Sequence, residues 1–269
     1  MAENIENAFN QKLVGNAAKL YLPVLEKYHR AKFLGLENIP EKPFLGVGNH
    51  SGMHFMPESL LWIAKYHSMD NNVHMVTLIH NLSHKLGSML KLPLSDFGFI
   101  EANPEKALEA LKEGFAATVY PGSDRDNSKP FSERNKIDFF EHTGYVKLAL
   151  RARVPILPVV GIGGAETVFV ISSGEKVAEA TGLKKLLKLH TWPVYWSFPF
   201  GWHVGHLPYF SLPLPSQITI SVLPPYSVDQ YDSEDADNPD IVQKINLEII
   251  IMMQEEMNKL AKGRIPIVG

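Results

Sequence analysis

The stretch FLGVGNHSG, residues 44–52, decides the fold of this chain, because it joins an apolar run to a polar loop. The run is short and follows Pro43, a pattern typical of a buried strand. The loop places His50 just beyond the end of that strand. Because loops at strand ends often carry the reacting groups of α/β proteins, we expect the chemistry of the chain here.

Predicted strands and helices alternate along the rest of the chain. The strands are expected at 73–79, 115–120, 156–162 and 217–223, and the helices at 59–67, 104–113, 142–153 and 241–262. The helix at 104–113 has the clearest ends, since Asn103 can cap it and Pro104 and Gly114 suit its first and last positions. The alternation predicts an α/β fold with a mixed, mostly parallel central sheet flanked by helices, and with helical N- and C-terminal segments.

A single domain is predicted for residues 1–269, since a chain that is 45% hydrophobic can fill a full α/β core. It divides into an N-terminal helical segment at 1–35, a core at 36–228, and an acidic loop with a long helix at 229–269. Apolar residues at helical spacing over 10–33 predict an amphipathic helix that is broken at Pro23.

The composition narrows the possible partners and the compartment. A net charge of -3 gives no reason to expect a nucleic acid as partner. The lack of cysteine excludes disulfides, thiolate metal sites and a cysteine nucleophile. The N-terminal residues lack the pattern of a secretion signal, and no stretch approaches the ~20 apolar residues of a spanning helix. We therefore expect a cytoplasmic protein that is soluble or peripheral on a membrane.

The first candidate site is GNHSGMHFMPES, residues 48–59, where His50 precedes Glu58 by a few residues. A histidine with a nearby carboxylate is the arrangement of a general base, because the acid fixes the tautomer of the imidazole. The alternative is that His50 only caps a turn. A serine-hydrolase elbow is excluded at this point, since Gly-x-Ser-x-Gly would need serine where His50 stands.

A metal site is a second alternative for the same residues. His50, His54 and Glu58 are spaced by four and would share one face of a continuous helix, with His80 and His84 as further ligands. Gly52 and Pro57 disfavour that helix, so we predict no metal.

The second candidate site is VYPGSDRDNSKPFSERNK, residues 119–136, which follows a predicted strand and opens a polar loop at 122–138. Gly122 would let a ligand approach the backbone, and Ser123 offers a hydroxyl. Its positive charges are Arg125, Lys129, Arg134 and Lys136. An anion such as a phosphate fits this cluster, and a solvated basic loop is the alternative.

The third candidate is an aromatic segment in which three of the four tryptophans, Trp192, Trp196 and Trp202, fall within eleven residues. Lysines at 184, 185 and 188 precede them, and aromatic rings beside lysines suit a membrane interface. Pro193 and Pro199 argue against a long helix or a central strand. The alternatives are a loop that covers the core and the wall of a substrate tunnel.

Taken in order, these segments resemble the lysophospholipid or glycerolipid acyltransferase family, the superfamily of 1-acylglycerol-3-phosphate acyltransferase-like proteins. The residues that carry the resemblance are VGNHSG at 47–52, Pro57-Glu58, VYPGSDR at 119–125, PFSERNK at 130–136, the stretch at 144–166, and LPLPSQITISVLPP at 212–225. The closest branch is the one that contains soluble relatives of mono- and diacylglycerol acyltransferases. The resemblance spans residues 33–228.

The resemblance implies that His50 is the general base and that Glu58 supports it. Phe55 stands where the family usually has aspartate. The family's Glu-Gly-Thr block corresponds to Pro121-Gly122-Ser123, and its lack of a glutamate resembles the neutral-lipid branch. The residues expected to bind substrate are Asn49, Ser51, Gly52, Tyr120, Pro121, Gly122, Ser123, Arg125, Arg134 and Lys136, and those expected at the membrane are Trp192, Trp196 and Trp202.

The implied activity is transfer of a fatty acyl group from acyl-CoA or acyl-carrier protein, as co-substrate, to a hydroxyl of a lysolipid, diacylglycerol or long-chain alcohol. Backbone N–H groups near Gly122 and Ser123 would hold the oxyanion, and Arg125, Arg134 and Lys136 would hold the phosphates of the donor. No bound cofactor is implied. A metal-dependent hydrolase using His50, His54 and Glu58 and a non-catalytic lipid-binding protein are the rival hypotheses.

Overall fold

The computed structural model describes residues 9–53, 55–80, 84–85, 89–182, 189–206 and 212–269. Its main feature is a seven-stranded, mostly parallel sheet flanked by helices, as the alternation of elements predicts. The strands of the chain are β1 (Lys32–Leu34), β2 (Leu45–Gly48), β3 (Met75–Ile79), β4 (Phe99–Glu101), β5 (Ala116–Val119), β6 (Ile156–Ile162), β7 (Phe169–Ser172), β8 (Val194–Ser197), β9 (Gly201–Val204) and β10 (Thr219–Val222). The α-helices are α1 (Gln11–His29), α2 (Pro57–Ser68), α3 (Pro104–Lys112), α4 (Ser123–Asn127), α5 (Gly144–Ala152), α6 (Glu175–Ala180) and α7 (Pro239–Ala261).

The order of strands in the large sheet, β1-β10-β6-β2-β5-β3-β4, puts β2 at its centre. Leu45 of β2 pairs in parallel with Ala117 of β5 on one side and with Ile156 of β6 on the other. All four residues of β2 are buried. The loops after β2, β5 and β6 therefore leave the sheet at the same edge, where open α/β sheets bind their ligands.

Helices cover both faces of this sheet. Side chains of α3, α5 and α7 pack on one face in a core that contains Ala110, Leu150 and Ile249. On the other face α1 and α2 contribute Leu22 and Trp62 to a second core. The chain is therefore built in three layers, with the central strands buried from both sides.

Several predicted elements are confirmed, and one helix has a different form from the prediction. Helix α3 begins after Asn103, whose side chain accepts hydrogen bonds from the N–H groups of Glu105 and Lys106 at 2.9 and 3.1 Å. Helix α1, by contrast, runs unbroken through Pro23. Pro23 is exposed, so water can replace the hydrogen bond that the missing N–H removes from the helix.

A second, three-stranded sheet, in the order β7-β8-β9, was not predicted. Its strands β8 and β9 contain most of the aromatic segment, and Phe198 and Pro199 lie between them. The prolines thus flank these strands instead of preventing them. The predicted polar loop at 122–138 likewise contains the short helix α4. None of the helices that the structure describes combines the length and apolar character needed to cross a membrane.

Candidate active site

The backbone at the end of β2 is fixed by two hydrogen-bonded side chains. Asn49 donates from Nδ2 to the carbonyl of Gly161 and accepts from the N–H of Gly161, both at 2.8 Å, which ties it to β6. The next residue, His50, donates its backbone N–H to Oδ2 of Asp126 at 2.6 Å. The backbone at His50 is therefore fixed between β6 and helix α4, independently of the contacts of its side chain.

The imidazole of His50 is partly buried and contacts Ser59, not a carboxylate. Nδ1 of His50 lies 3.2 Å from Oγ of Ser59, a buried residue of α2. A proton on Nδ1 that is donated to Ser59 leaves the lone pair of Nε2 available as a base. The ring also lies 5.1 Å from the ring of Tyr120, between centroids.

Burial and the positive charge of Lys129 lower the pKa of His50 to about 4. The imidazole is therefore neutral at physiological pH. A neutral imidazole is the form that can accept a proton, and a pKa below neutrality also makes it a weaker base than an unperturbed histidine.

Glu58 is buried beside His50 but makes its hydrogen bonds to other groups. Its Oε1 accepts from the hydroxyl of Ser51 and, at 2.9 Å, from the N–H of Gly164. The prediction that Glu58 orients His50 is therefore corrected: Ser59 is at Nδ1, and Glu58 acts on the loop around His50. Burial raises the pKa of the Glu58 carboxyl.

Two glycines of the segment after β6 make room for Glu58. A Cβ at Gly161 would lie 2.7 Å from Cβ and Cγ of Glu58, and a Cβ at Gly164 would lie 1.9 Å from Oε2. Gly52 is needed for a different reason, since its φ of 83° is in the left-handed region that favours glycine. The loop 48–52 and the turn at 163–166 thus close around one buried carboxyl group.

The segment after β5 contains Tyr120, Pro121, Gly122 and Ser123, which are predicted to bind substrate, and some of its backbone polar groups are hydrogen-bonded within the protein. The N–H of Ser123 donates to the carbonyl of Tyr120 at 3.3 Å, and the Pro121 carbonyl lies 2.9 Å from Nδ1 of His142. Ser123 has a φ of 55° where α4 begins. Burial raises the pKa of Tyr120.

The predicted basic residues each have a partner within the protein. Arg125 lies over the ring of Phe140 and 3.9 Å from Oε2 of Glu175. The other two cations that were predicted to bind the phosphates of the acyl donor also have contacts within the protein. Arg134 lies over the ring of Phe131 and donates to its carbonyl at 3.0 Å, and Lys136 pairs with Asp138 at 3.0 Å, which raises the pKa of Lys136.

The geometry does not favour the metal alternative. Helix α2 begins only at Pro57, and Met53 and Met56 before it have positive φ values, so His50 and Glu58 do not share a helical face. His54 lies outside the described residues. Among the residues that are described, including His80 and His84, no group of three or more histidines and carboxylates could hold a metal ion.

The aromatic segment contributes to one face of the small sheet, on which Trp202 is exposed and Trp196 is half-buried. Phe169, Trp196 and Trp202 are aligned across β7, β8 and β9, while Val170, Tyr195 and His203, aligned on the opposite face, are buried. Trp202 is 67% exposed, so it does not line an enclosed tunnel. Trp192 instead packs on Gly205, where a Cβ would lie 2.6 Å from its ring. The lysines at 184, 185 and 188 lie outside the described residues.

Three residues of the site were missed by sequence reasoning. Ser59 and Asp126 contact His50, and Gly164 donates to Glu58. The spacing of Ser59 from His50 carries no recognised signal, because the chain between them bends at residues with positive φ, Gly52, Met53 and Met56. The Gly163-Gly164 pair after a buried strand did mark a close backbone approach and was the one available sign.

The comparisons with known proteins give relatives of unassigned function and one solved structure. No protein-family model matches the chain. An uncharacterized protein of Mycobacterium tuberculosis (strain H37Rv) is 25% identical over 257 residues, 95% of this chain and 68% of that protein. An uncharacterized protein of Mycobacterium leprae is 24% identical over 240 residues, 89% of this chain and 62% of that protein.

The solved structure is the 1-acyl-sn-glycerophosphate (LPA) acyltransferase PlsC from Thermotoga maritima. It superposes with a TM-score of 0.53 at 16% identity, covering 93% of this chain and 83% of that one. The chain therefore has the mixed α/β fold of this acyltransferase.

Proposed function

We propose that this protein is an O-acyltransferase that moves a fatty acyl group from an acyl thioester to a hydroxyl of a lipid acceptor. The observation that carries the proposal is the position of His50 at the carboxyl end of the central strand, with Nδ1 3.2 Å from Oγ of Ser59. In the tautomer that donates from Nδ1 to Ser59, Nε2 is available as a base. The fold shared with a lipid acyltransferase supports the same chemistry.

The reaction needs one proton acceptor and no acyl-enzyme. Nε2 of His50 takes the proton of the acceptor hydroxyl while the hydroxyl oxygen attacks the thioester carbonyl. The tetrahedral intermediate then collapses, the C–S bond breaks, and the imidazolium returns the proton to the leaving thiolate. The products are an oxygen ester and a free thiol, and the histidine is neutral again.

The site favours an acceptor without a phosphate close to the reacting hydroxyl. Lys129, the cation whose charge acts on His50, is buried against Asp126, and the remaining cations of the loop are assigned to the phosphates of the donor. Diacylglycerol and long-chain alcohols thus fit better than a lysophosphatidate within the predicted acceptor class. The thioester donor is acyl-CoA or acyl-carrier protein, and its phosphates would compete for Arg125, Arg134 or Lys136.

We propose that the protein contacts a membrane surface through the small sheet. Its outer face exposes Trp202, Ile171 and Val204, and the adjoining Phe198 and Phe200 are exposed as well. A contiguous apolar face of this kind is suited to the interface of a bilayer, where aromatic rings are enriched. Such a contact would let a cytoplasmic, peripheral enzyme take an acceptor directly from the membrane.

The test is release of free thiol from palmitoyl-CoA, and from palmitoyl-carrier protein, with lysolipids, diacylglycerol and fatty alcohols as acceptors. Acceptor-dependent release that His50→Ala abolishes and His74→Ala retains supports the proposal, since His74 lies on a different part of the surface. Full activity in His50→Ala refutes the role of His50. No release with any donor and acceptor favours the lipid-binding alternative, in which His50→Ala leaves lipid binding unchanged.

A further inference from the structure

A buried ion pair, Asp126 with Lys129, contacts the backbone of His50. Asp126 is 1% exposed and Lys129 is 7% exposed, and Nζ of Lys129 lies 2.5 Å from Oδ1 of Asp126. The other oxygen of Asp126, Oδ2, accepts the backbone N–H of His50 at 2.6 Å. One carboxylate therefore joins the loop after β2 to helix α4.

The second contact of Lys129 extends this connection. Its ammonium also donates to the carbonyl of Lys136 at 2.7 Å. Both oxygens of Asp126 and two of the three protons of Lys129 are thus satisfied inside the protein. Because a buried charge that loses its partner is strongly unfavourable, the pair holds three chain segments in a fixed relation.

The sequence around the pair is adapted to it. A Cβ at Gly122 would lie 2.2 Å from Cβ of Asp126, so a larger residue at position 122 would displace this side chain. The φ of Gly122 is an ordinary −62°, which leaves the close approach of Asp126 as the reason for a glycine here. Gly122 of the second candidate site is therefore needed to make room for Asp126, whether or not a ligand also approaches it.

We propose that Asp126 and Lys129 are positioning residues for His50: Asp126 fixes its backbone, and Lys129 holds Asp126 and adds a buried positive charge near the imidazole. This inference rests on the proposed function for its catalytic consequence only. Among the described residues, the ring of Tyr120 at the end of β5 lies 5.1 Å from that of His50, and Glu58 of α2 precedes Ser59, which contacts Nδ1. Glu58 is buried and Tyr120 is half-buried, and burial raises the pKa of each, which favours their uncharged forms.

The direct test is titration of the His50 ring by NMR in the wild type, Lys129→Met, Lys129→Arg and the paired variant Asp126→Asn/Lys129→Met. Removal of the positive charge in Lys129→Met moves the midpoint of His50 to higher pH, because the protonated ring is no longer repelled. Lys129→Arg keeps the charge and keeps the midpoint near the wild-type value. Lys106→Met, which removes an exposed lysine paired with Glu101, is the matched control and leaves the titration unchanged.

The paired variant separates positioning from stability. It removes both charges together, so no uncompensated buried charge is left, and the amide oxygen that replaces the carboxylate can still accept the N–H of His50. If the folded Lys129→Met variant keeps the wild-type midpoint of His50, the electrostatic part of the proposal is overturned; the paired variant, whose two lost charges act on His50 in opposite directions, is compared for folding and for kcat. In the thiol-release assay Asp126→Asn is expected to lower kcat at least about tenfold with little change in KM, because residue 126 loses the ion pair with Lys129 that holds it in place, and small displacements of a reacting group are costly.

The two possible failures are distinguishable, because the titration requires no activity. A wild type that is inactive with every substrate, together with the expected shift in Lys129→Met, would overturn the acyltransferase and leave the effect on His50 in place. An active enzyme in which Asp126→Asn has the wild-type kcat and Lys129→Met has the wild-type titration would overturn the inference alone.

Discussion

Glu58 is expected to act as a buried hydrogen-bond acceptor and not as a required charge, and two substitutions distinguish these roles. Glu58→Gln keeps an oxygen for the hydroxyl of Ser51 and the N–H of Gly164. It also places an amide where Oε2 has no hydrogen-bond partner among the described residues. We expect its free energy of unfolding to lie within about 1 kcal/mol of the wild type.

Glu58→Ala removes the acceptor from both donors. A buried donor without a partner costs ~1–3 kcal/mol, so the two together cost roughly 2–6 kcal/mol. Relief of the buried carboxyl offsets part of this loss, and we expect a net destabilisation of about 2–4 kcal/mol. The assay is urea unfolding at neutral pH, with the exposed Glu255→Gln as control for loss of one surface charge.

The pH dependence gives a second measurement on the same variants. Burial raises the pKa of Glu58 above its value in the unfolded chain, so the folded protein binds this proton more tightly. Its contribution to stability is then fully present below the unfolded pKa and is lost as pH rises through the folded pKa. Glu58→Gln should abolish this loss, so that its stability relative to the wild type improves as pH increases.

Equal destabilisation by the glutamine and alanine variants would refute this reasoning, since it would mean that the charge itself is what Ser51 and Gly164 stabilise. An unchanged difference between Glu58→Gln and wild type across the pH range would refute the raised pKa. In the thiol-release assay the glutamine variant should retain most of its kcat. A loss of activity in a stable Glu58→Gln would restore the original idea that a carboxylate supports His50.

Three further predictions concern Ser59, the small sheet and the C-terminal residues. Ser59→Ala should lower kcat about tenfold or more, because Nδ1 of His50 loses the group that fixes its tautomer, whereas Ser68→Ala on the same helix should not. Trp202→Ser should reduce cosedimentation with phospholipid vesicles, since burial of a tryptophan at the interface is worth on the order of 2 kcal/mol, and unchanged cosedimentation would exclude this face as the contact. Arg264→Met should destabilise the protein by about 3–5 kcal/mol, because it leaves Glu166 as a buried charge without its partner, and a loss below about 1 kcal/mol in urea unfolding would contradict this.

The fold was predictable where local signals and burial agree. The strand Ile156–Ile162 is a continuous apolar run and lies in the sheet interior, and helix Pro104–Lys112 has its cap and its terminal glycine in the sequence. Strands β1 and β4 have three residues each, at the two edges of the large sheet, so their existence depends on the neighbouring strand. The sequence around them contains no periodicity from which they could be recognised.

The site was predictable in its residue types but not in its contacts. His50 was found because it follows a buried strand, which is a local property. The partners of His50 could not be predicted in the same way. Ser59 contacts Nδ1 only because of how helix α2 packs beside the loop, and Asp126 comes close to the His50 backbone only because β2 pairs with β5. Glu58, an acid close to His50 in sequence, was predicted to contact the imidazole, whereas the residue found at Nδ1 is Ser59.

Both buried carboxyl groups near His50 bond to other parts of the chain, and among the described residues the imidazole has no charged hydrogen-bond partner. Glu58 binds Ser51 and Gly164, and Asp126 binds the His50 backbone, each in space that a glycine provides. A ring that is positioned by its backbone and by a serine hydroxyl is a weaker base than one paired with a carboxylate, because nothing stabilises the imidazolium directly. In the proposed reaction the imidazole holds the proton only until the thiolate leaves, so the imidazolium is short-lived and needs no carboxylate paired with it.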